Sequence, residues 1–318
     1  MDVSEQELLA AIHRVLSGAG PGVIVGVGDD AAVVAPGSGE LVLTTDALVE
    51  GSHFSRSTAS ARDIGYKAIV VNVSDIAAMA ASPRFALCAL TLSDAVDVAW
   101  VMELFGGMRE ACDEHALSLV GGNLARGPEV TVAVTVTGEV APGRAVTRAG
   151  ARPGDVLVVT GSLGAAAAGL RLSSGRTPPS DEERAAILRH LRPTARVGEA
   201  GVLARCGATA MIDVSDGLTL DLSRLCAASG VGARVRVADV PIGPAAGLHE
   251  ALGGGEDYEL VATLPDAARA GAAREELDEA FGVGLAEIGA IVSEPGLLAV
   301  DATGAEVRLT PAGWDHFA

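Results

Sequence analysis

The sequence predicts an α+β protein of two domains, each combining a sheet with helices. Its 318 residues suffice for two domains of ordinary size. Strand-like alternation and helical periodicity both recur along the chain, without the regular order of a parallel sheet. Pro-Gly pairs at 142–143 and 153–154 mark a boundary region. We therefore predict an N-terminal domain of residues 1–146 and a C-terminal domain of residues 147–318.

Composition limits the classes of function. The net charge of -18 argues against nucleic-acid binding through a broad basic face. Anionic phosphates would then need metal ions or a few well-placed Arg and Lys side chains. Hydrophobic residues make up 49% of the chain and aromatic residues only 3%, so the cores must consist mainly of Ala, Val and Leu.

The sequence also predicts the compartment. The four cysteines show no CxxC spacing and are typical of reduced thiols in a cytoplasmic protein. A basic segment followed by an apolar core is missing from the first residues, so we expect no signal peptide. No uncharged apolar run reaches about 18 residues, so we expect no membrane span.

The N-terminal half is predicted to alternate helices with short strands. Ser4 and Ser60 are expected to cap helices, Pro83 to stop the second, and Asp94 to cap a third that runs to Glu114. Expected strands are 23–25, 31–34, 41–45 (ending at Asp46), 85–92, 117–120 (ending at the turn 121–123) and 130–140.

The C-terminal half repeats these signals. We expect helices over 161–170, 181–192, 197–205 and 267–280, with a surface loop over 171–180. Strands are expected over 155–160, 211–213, 233–237, 258–263 and 285–291. After the strand at 211–213 the chain turns, and Leu218, Leu222 and Leu225 then recur at helical spacing.

The turn at 213–217 carries the clearest chemical signal. Asp213, Ser215 and Asp216 follow a short apolar strand, and Gly217 tolerates the turn backbone. Mg²⁺ takes oxygen ligands and is usually held by one or two carboxylates together with substrate phosphates. A magnesium site is one interpretation, and a helix cap at Asp216 is the other.

Acidic residues recur beside Gly, Ser or Thr throughout the chain. If several converged, two unit charges 4 Å apart would repel by about 4 kcal/mol at an effective dielectric constant near 20. Bound divalent cations would remove that penalty, and the set predicts a multi-metal phosphate site. For any one acid taken alone, a cap or a solvated loop charge is the favoured interpretation, but it does not account well for the whole set. The set comprises Asp29, Asp30, Asp46, Asp75, Asp213, Asp216, Glu256 and Asp257.

The glycine-rich turns fit neither common nucleotide-binding motif. The chain has no GxxxxGK[ST], and no GxGxxG that opens a helix after a strand. Phosphate would therefore be held by metals, by the backbone N–H groups of Gly121 and Gly122, and by an arginine such as Arg148. A solvated linker charge is the alternative for Arg148.

Eight motifs, in this order over nearly the whole chain, resemble those of the thiamine-monophosphate kinase family. The wider superfamily of aminoimidazole ribonucleotide synthetases, selenophosphate synthetases and hydrogenase maturation factors shares the ATP site. It lacks the combination of a His-Phe after the Thr-Asp strand with an aromatic-Asp-His-Phe tail. The motifs are GVGDDAA (26–32), TTDALVEGSHF (44–54), NVSDIAAM (72–79), GGN (121–123), TRAGARPGD (147–155), DVSDG (213–217), GGEDYEL (254–260) and GWDHF (313–317).

The resemblance implies an activity, a fold and a partner. It implies ATP-dependent phosphorylation of thiamine phosphate to thiamine diphosphate with several magnesium ions. It also implies a homodimer whose N-terminal mixed sheets, covered by helices, join into a barrel near the ATP site, and a C-terminal α+β sandwich.

The resemblance assigns site residues by position. It places the catalytic groups at Asp75, Asp213 and Asp216, and ATP contacts at Gly122, Asn123, Arg148 and Ser215. Substrate contacts would be His53, Glu256 and Trp314, with a surface histidine and a core-anchoring tryptophan as alternatives for His53 and Trp314. The magnesium ligands would be Asp30, Thr44, Thr45, Asp46, Asp75, Asn123, Asp213 and Asp216.

Asn123 departs from the family, which has Asp at this position. Asn offers a neutral carbonyl oxygen instead of a charged ligand. We expect in-line transfer, in which an anionic phosphate oxygen of thiamine phosphate attacks the γ-phosphorus of ATP without a strong base. Two alternatives stay open: another ATP-dependent synthetase of the superfamily, and a nucleotide-binding protein with reduced turnover.

Overall fold

The structure, a computed structural model, describes residues 5–16, 20–27, 31–175, 178–301 and 303–314. The chain divides into two compact units. One comprises Met1–Ile76 and Ala81–Gly143, and the other comprises Ala77–Ala80 and Arg144–Ala318. Both units mix strands and helices, so the α+β prediction is confirmed. No helix in the described part of the chain is both long and apolar enough to cross a membrane.

A four-stranded sheet forms the centre of the first unit. The strand order is β3-β6-β4-β5, with β4 and β5 parallel and the other neighbours antiparallel. Strands β1 and β2 form a separate antiparallel pair. The elements are α1 (Glu5–Val15), β1 (Val23–Val25), β2 (Val33–Val34), β3 (Glu40–Val49), α2 (Ala61–Ala78), β4 (Ser82–Leu92), α3 (Val98–Glu114), β5 (Ser118–Arg126) and β6 (Thr131–Val140).

Helix α2 packs closely against its neighbours at two glycines. A Cβ at Gly65 would lie 1.9 Å from the carbonyl oxygen of Leu104 in α3. A Cβ at Gly138 in β6 would lie 2.5 Å from the side chain of Ile76. These close approaches fix α2 over the face of the sheet on which Val132, Val134 and Val136 are buried. The position of Asp75 in α2 is thereby fixed as well.

Two helix boundaries in this unit differ from the predicted ones. Ser4 lies outside the described residues, and Ser60 caps α2 as predicted, because its Oγ accepts from the N–H of Asp63. Helix α2 ends at Ala78. Pro83, which was predicted to stop this helix, lies within β4 instead. Asp97, not Asp94, caps α3, since its carboxylate accepts from the N–H of Trp100 at 2.8 Å.

Two strands extend further than predicted. Strand β3 continues through Asp46 to Val49 because ten consecutive residue pairs align it with β6. Strand β5 continues through the predicted turn at Gly121–Asn123 because these residues pair with Leu87, Cys88 and Ala89 of β4. The glycines and polar residues that suggested turns therefore lie inside the sheet.

A seven-stranded sheet forms the centre of the second unit, in the order β13-β12-β9-β11-β7-β10-β8. All neighbours are antiparallel except β12 and β9. Its elements are β7 (Val156–Thr160), α4 (Ala165–Leu172), α5 (Asp181–Leu191), α6 (Val197–Arg205), β8 (Ala210–Asp213), α7 (Leu218–Ser229), β9 (Gly232–Arg236), α8 (Leu248–Gly253), β10 (Leu260–Leu264), α9 (Ala267–Phe281), β11 (Leu285–Val292), β12 (Gly296–Val300) and β13 (Glu306–Arg308).

Apolar layers cover both faces of this sheet. Helix α7 contributes Leu218, Leu222 and Leu225 to one layer. Helices α6 and α9 contribute Leu203 and Leu277 to the other. Every residue of β10 is buried as a result.

Some elements of the second unit lie where the sequence predicted them, and others do not. Helix α6, helix α9 and the β8-turn-α7 succession lie where predicted. The predicted helix at 161–170 begins only at Ala165, because Gly161 and Gly164 take φ values of +56° and +87° in a turn. Elements α8, β12 and β13 were not predicted.

Candidate active site

Three predicted metal ligands of the first unit lie on β3 and α2. Thr44 and Asp46 are two residues apart on β3 and therefore project from the same face of the sheet. Helix α2 packs on that face, and the Thr44 hydroxyl donates a 2.5 Å hydrogen bond to Oδ2 of Asp75. The Thr44 hydroxyl and the Asp75 carboxylate are thus in contact at partly exposed positions, and the exposed Asp46 projects from the same face of β3 as Thr44.

Thr45 projects from the opposite face of β3. Its hydroxyl donates to the carbonyl oxygen of Val134 at 3.1 Å and accepts from the Thr135 hydroxyl at 3.1 Å. The side chain of Thr45 therefore does not join Thr44 and Asp75.

Gly122 and Asn123 lie far from this group within one chain. They belong to β5, whereas Asp46 belongs to β3 at the other edge of the four-stranded sheet. Three inter-strand spacings amount to about 14 Å, and two ligands of one magnesium ion lie at most about 4 Å apart. Asn123 and Asp46 of one chain therefore do not share an ion. Asp30 lies outside the described residues.

His53 stabilises the turn that follows β3. Its backbone N–H donates to the carbonyl oxygen of Val49 at 2.9 Å, and its Nδ1 accepts from the N–H of Val49 at 3.1 Å. Because Nδ1 is an acceptor, the neutral ring carries its proton on Nε2. The histidine thus has a local structural role and presents a ring N–H donor at Nε2.

The turn between β8 and α7 carries the predicted residues of the second unit. Asp213 is buried at the end of β8 and is paired in register with Leu260 of β10. Ser215 and Asp216 are partly exposed in the turn. Gly217 adopts a φ of +134°, and a Cβ there would lie 2.9 Å from backbone atoms of Gly253, so glycine is required.

A buried acid that sequence reasoning missed organises this turn. Oδ2 of Asp221 accepts from three successive backbone N–H groups, those of Ser215 (3.1 Å), Asp216 (2.9 Å) and Gly217 (3.0 Å). Such successive N–H groups form an anion-binding nest, which Asp221 fills. Burial raises the pKa of Asp221, and the N–H groups oppose that shift. Asp216 therefore does not cap α7. The available signal was an acid within the apolar repeat Leu218-Leu222-Leu225.

Arg224 connects Asp221 to Asp216. Its Nη1 lies 2.5 Å from Oδ2 of Asp216 and 2.6 Å from Oδ1 of Asp221. The carboxylate of Asp216 therefore has a cationic partner from the helix that follows the turn. Sequence reasoning missed this residue too, because one exposed arginine in a helix gives no signal.

The loop before β10 brings Glu256 to the same turn. The N–H of Glu256 donates to the carbonyl oxygen of Ser215 at 2.8 Å, and the N–H of Tyr258 donates to that of Val214 at 2.9 Å. Both residues have positive φ, +70° and +52°, a strained conformation for side chains with a Cβ. Oε2 of Glu256 lies 3.0 Å from Nδ1 of His190, close enough for an ion pair but not aligned as a hydrogen bond.

The neighbouring acids of this loop are structural. Glu259 is buried and accepts from Arg189 at 2.6 Å and from Arg196 at 2.6 and 2.7 Å. Asp257 accepts from the N–H groups of Gly164 at 2.5 Å and Ala166 at 3.1 Å. Burial raises the pKa of Asp257 to about 7, against the opposing effect of these N–H groups. Both acids hold the loop that carries Glu256.

The C-terminal segment docks on the β8–α7 turn. The Thr219 hydroxyl accepts from the N–H of Ala312 and donates to its carbonyl oxygen, at 2.9 and 3.0 Å. The N–H of Trp314 donates to the carbonyl oxygen of Asp216 at 3.0 Å. The Trp314 side chain is 52% exposed, so it is not a core anchor. Asp315, His316 and Phe317 lie outside the described residues.

Arg148 lies at the far end of α7. The hydroxyl of Ser229, the last residue of α7, donates to the carbonyl oxygen of Arg148 at 2.8 Å. Ser215 precedes the first turn of the same helix, and twelve helical residues span about 18 Å. Arg148 and Ser215 therefore do not converge on one phosphate group within one chain.

The oxygen donors of the first unit suit a magnesium ion but provide only part of its ligand shell. Its donors are all hard oxygens, and one or two carboxylates completed by substrate phosphates and water are the usual protein share of a magnesium shell. Among the described residues, no three His, Cys, Asp or Glu side chains come close enough together to hold a metal ion. Asp46, Asp75 and Thr44 therefore suit an ion that arrives with phosphate better than an all-protein cage.

Family models match both units. The N-terminal domain of AIR synthase related proteins matches residues 28–140, and the C-terminal domain of the same family matches residues 152–301. The chain is 40% identical over 307 residues to the thiamine-monophosphate kinase of Escherichia coli strain K12, with 93% of each chain covered. It is 36% identical over 302 residues to that of Aquifex aeolicus, with 92% of each covered.

Solved structures agree with these matches. The thiamine-monophosphate kinase of Stenotrophomonas maltophilia superposes with a TM-score of 0.83 at 35% identity, over 94% of this chain and 97% of that one. AaThiL complexed with AMPPCP and TMP superposes with a TM-score of 0.77 at 34% identity, over 100% and 99%. Escherichia coli HypE, a hydrogenase maturation protein, is only 18% identical at a TM-score of 0.81, a likeness in fold alone. The chain therefore belongs to the thiamine-monophosphate kinase family of AIR synthase related enzymes.

Proposed function

We propose that this chain catalyses the ATP-dependent phosphorylation of thiamine phosphate to thiamine diphosphate. The observation that carries the proposal is the likeness over the full chain to AaThiL, a protein solved as a complex with AMPPCP and TMP. The group Thr44, Asp46 and Asp75 supports it, because Thr44 contacts Asp75 and Asp46 projects from the same face of β3, so hard oxygen ligands lie on one side of the sheet.

The first unit would provide metal binding and dimerisation, and the second would complete the phosphate and substrate site. Asp46 and Asp75 would bind magnesium, and the Thr44 hydroxyl would orient the Asp75 carboxylate. Bound magnesium would neutralise charge on the transferring phosphate. The attacking oxygen of thiamine phosphate is already anionic at neutral pH, so the chain supplies position and exclusion of water instead of a strong base.

The second unit would provide further contacts to metal, ATP and thiamine phosphate. Asp213 and Asp216 would add carboxylates for metal, and Ser215 and Arg148 would contact ATP. His53 has a donor at Nε2 and Glu256 is an acceptor, so they suit polar groups of thiamine phosphate. The half-exposed Trp314 ring suits the cationic thiazolium or the pyrimidine.

We also propose that the active form is a homodimer. The exposed face of β3 carries Leu41 and Leu43, which are 66% and 63% exposed. Two such sheets that closed into a barrel would bury these leucines. The same closure would bring the β5 edge of one copy, with Gly122 and Asn123, towards the β3 edge of its partner, with Thr45 and Asp46. A second copy would thus remove the separation of about 14 Å found within one chain.

We place the reaction in the cytoplasm. The four cysteines are all free thiols, and free thiols are typical of reducing compartments.

The neutral ligand at Asn123 favours one second candidate, a nucleotide-binding protein with little turnover. A product assay with ATP, Mg²⁺ and thiamine phosphate separates the candidates. Thiamine diphosphate formed in step with ADP is the expected result. Binding of ATP and Mg²⁺ without product would favour the second candidate. Consumption of ATP only with an amide or carbonyl substrate would favour a synthetase.

A further inference from the structure

Arg224 forms an ion pair with Asp216, a carboxylate that would bind a metal ion in the second unit. One nitrogen, Nη1, contacts Oδ2 of Asp216 at 2.5 Å and Oδ1 of Asp221 at 2.6 Å. The side chains of Arg224 and Asp216 are 41% and 24% exposed, whereas that of Asp221 is 1% exposed. The pair at Asp216 is therefore open to solvent on one side and tied to a buried acid on the other.

The hydrogen bonds of Asp221 hold its carboxylate in place. Its Oδ2 already accepts from the N–H groups of Ser215, Asp216 and Gly217. Losing these bonds would leave three buried or half-buried donors unsatisfied. Because Asp221 stays in place, it holds the guanidinium of Arg224 next to Asp216 whether or not a metal is present.

We infer that Arg224 is a positioning residue that competes with divalent cations for Asp216. A lone cation must approach a carboxylate that is already paired and must also face the positive charge of the guanidinium. A cation carried by nucleotide phosphate brings negative charge with it, and the guanidinium opposes it less. Arg224 therefore makes metal binding at Asp216 depend on the nucleotide. The inference rests on the metal role of Asp216 in the proposed function.

The experiment measures metal binding directly, with Mn²⁺ as the probe and the full chain as the sample. Electron paramagnetic resonance reports free Mn²⁺ during a titration without nucleotide, and again with a non-hydrolysable ATP analogue. The variants are Arg224→Gln, which removes the charge, and Arg224→Lys, which retains it. Arg234→Gln is the matched control, because Arg234 forms an ion pair of similar exposure with Glu306 at 2.6 Å in the same unit.

We expect Arg224→Gln to bind Mn²⁺ up to about fivefold more tightly without nucleotide, which is the upper end of the range for a surface ion pair. The difference should shrink when the nucleotide analogue is present. Arg224→Lys and Arg234→Gln should remain close to wild type. Adding Asp216→Asn to Arg224→Gln should remove the gain, which locates the effect at Asp216 instead of at Asp46 and Asp75.

Unchanged or weaker Mn²⁺ binding by Arg224→Gln would overturn the inference. A fall in melting temperature with no change in Mn²⁺ affinity would show that the pair is structural only. Gln favours helix and Arg224 is part-exposed, so the variant should fold. The readout uses neither thiamine phosphate nor turnover. If the chain makes thiamine diphosphate but Arg224→Gln does not change Mn²⁺ affinity, only this inference is refuted. If Arg224→Gln tightens Mn²⁺ binding but the chain makes no thiamine diphosphate, only the proposed function is refuted.

Discussion

The backbone N–H of Trp314 donates a hydrogen bond to the carbonyl oxygen of Asp216 at 3.0 Å. This bond joins the C-terminal segment to the turn that carries Ser215 and Asp216. The adjacent pair between Ala312 and Thr219 holds the same segment in place. The backbone thus anchors the segment, and the Trp314 side chain is 52% exposed.

Trp314→Ala should therefore weaken the binding of thiamine phosphate more than that of ATP. A cation–π contact contributes about 0.5–2 kcal/mol, which corresponds to a rise of about two- to thirtyfold in KM for thiamine phosphate. Steady-state kinetics with each substrate varied in turn would measure it. Trp314→Phe keeps an aromatic face and should recover part of the affinity. A collapse in melting temperature with unchanged KM would instead assign the indole a structural role.

Asp75→Ala should lower kcat about a hundredfold or more, as expected when a group that stabilises transferring charge is removed. Thr44→Val removes only the hydroxyl that donates to Asp75 and should cost less, about tenfold. Glu103→Ala is a suitable control, because this acid is exposed on α3 and forms an ion pair with Arg62. Circular dichroism should show an intact fold in all three. Full activity of Asp75→Ala at saturating Mg²⁺ would refute its metal role.

Asn123→Asp should lower the Mg²⁺ concentration needed for half-maximal activity. The added charge should raise kcat at limiting Mg²⁺ by up to about tenfold, or about 1.4 kcal/mol of transition-state stabilisation. The gain should shrink as Mg²⁺ saturates, because mass action then fills the weaker site. It should also shrink when the protein is diluted to monomers, since Asn123 and Asp46 lie at opposite edges of one sheet. Identical Mg²⁺ titration curves would mean that Asn123 does not touch metal.

Asp257 should make folding stability depend on pH. Burial raises its pKa to about 7 in the folded chain, against about 3.9 when unfolded. Between these values the folded chain keeps a proton that the unfolded chain has lost, so the free energy of unfolding should fall as pH rises from about 4 to about 7. Asp257→Asn should flatten that slope in urea unfolding at several pH values. The exposed Asp278→Asn should retain it, and an unchanged slope in Asp257→Asn would contradict the assignment.

Local sequence patterns predicted much of the second unit. Helices α6 and α9 and the β8-turn-α7 succession combine helical periodicity with clear turn residues, and local preference there agrees with the final packing. The predictions failed where sheet pairing overrides local preference. Gly121 to Asn123 resemble a turn, yet β5 continues through them beside β4, and a Cβ at Gly122 would lie 1.9 Å from the carbonyl oxygen of Cys88.

The candidate site was predictable only in part, for a related reason. The resemblance located Thr44, Asp75, Asp216 and Trp314 by position. It did not indicate the partners that fix them, because these contacts join residues far apart in sequence or use residue types without a local signal. Arg189 and Arg196 reach Glu259 across more than 60 positions. Asp221 was recognisable only as an acid inside an apolar stripe.

The most direct test of the central claim follows the γ-phosphate of ATP. The full chain is incubated with Mg²⁺, thiamine phosphate and ATP that carries a heavy-oxygen label in its γ-phosphate, and the products are analysed by mass spectrometry. We predict that labelled thiamine diphosphate and ADP form in equal amounts, with the transferred label in the terminal phosphate of thiamine diphosphate. Labelled inorganic phosphate with thiamine phosphate left unchanged would contradict the assignment of this chain as a kinase of thiamine phosphate.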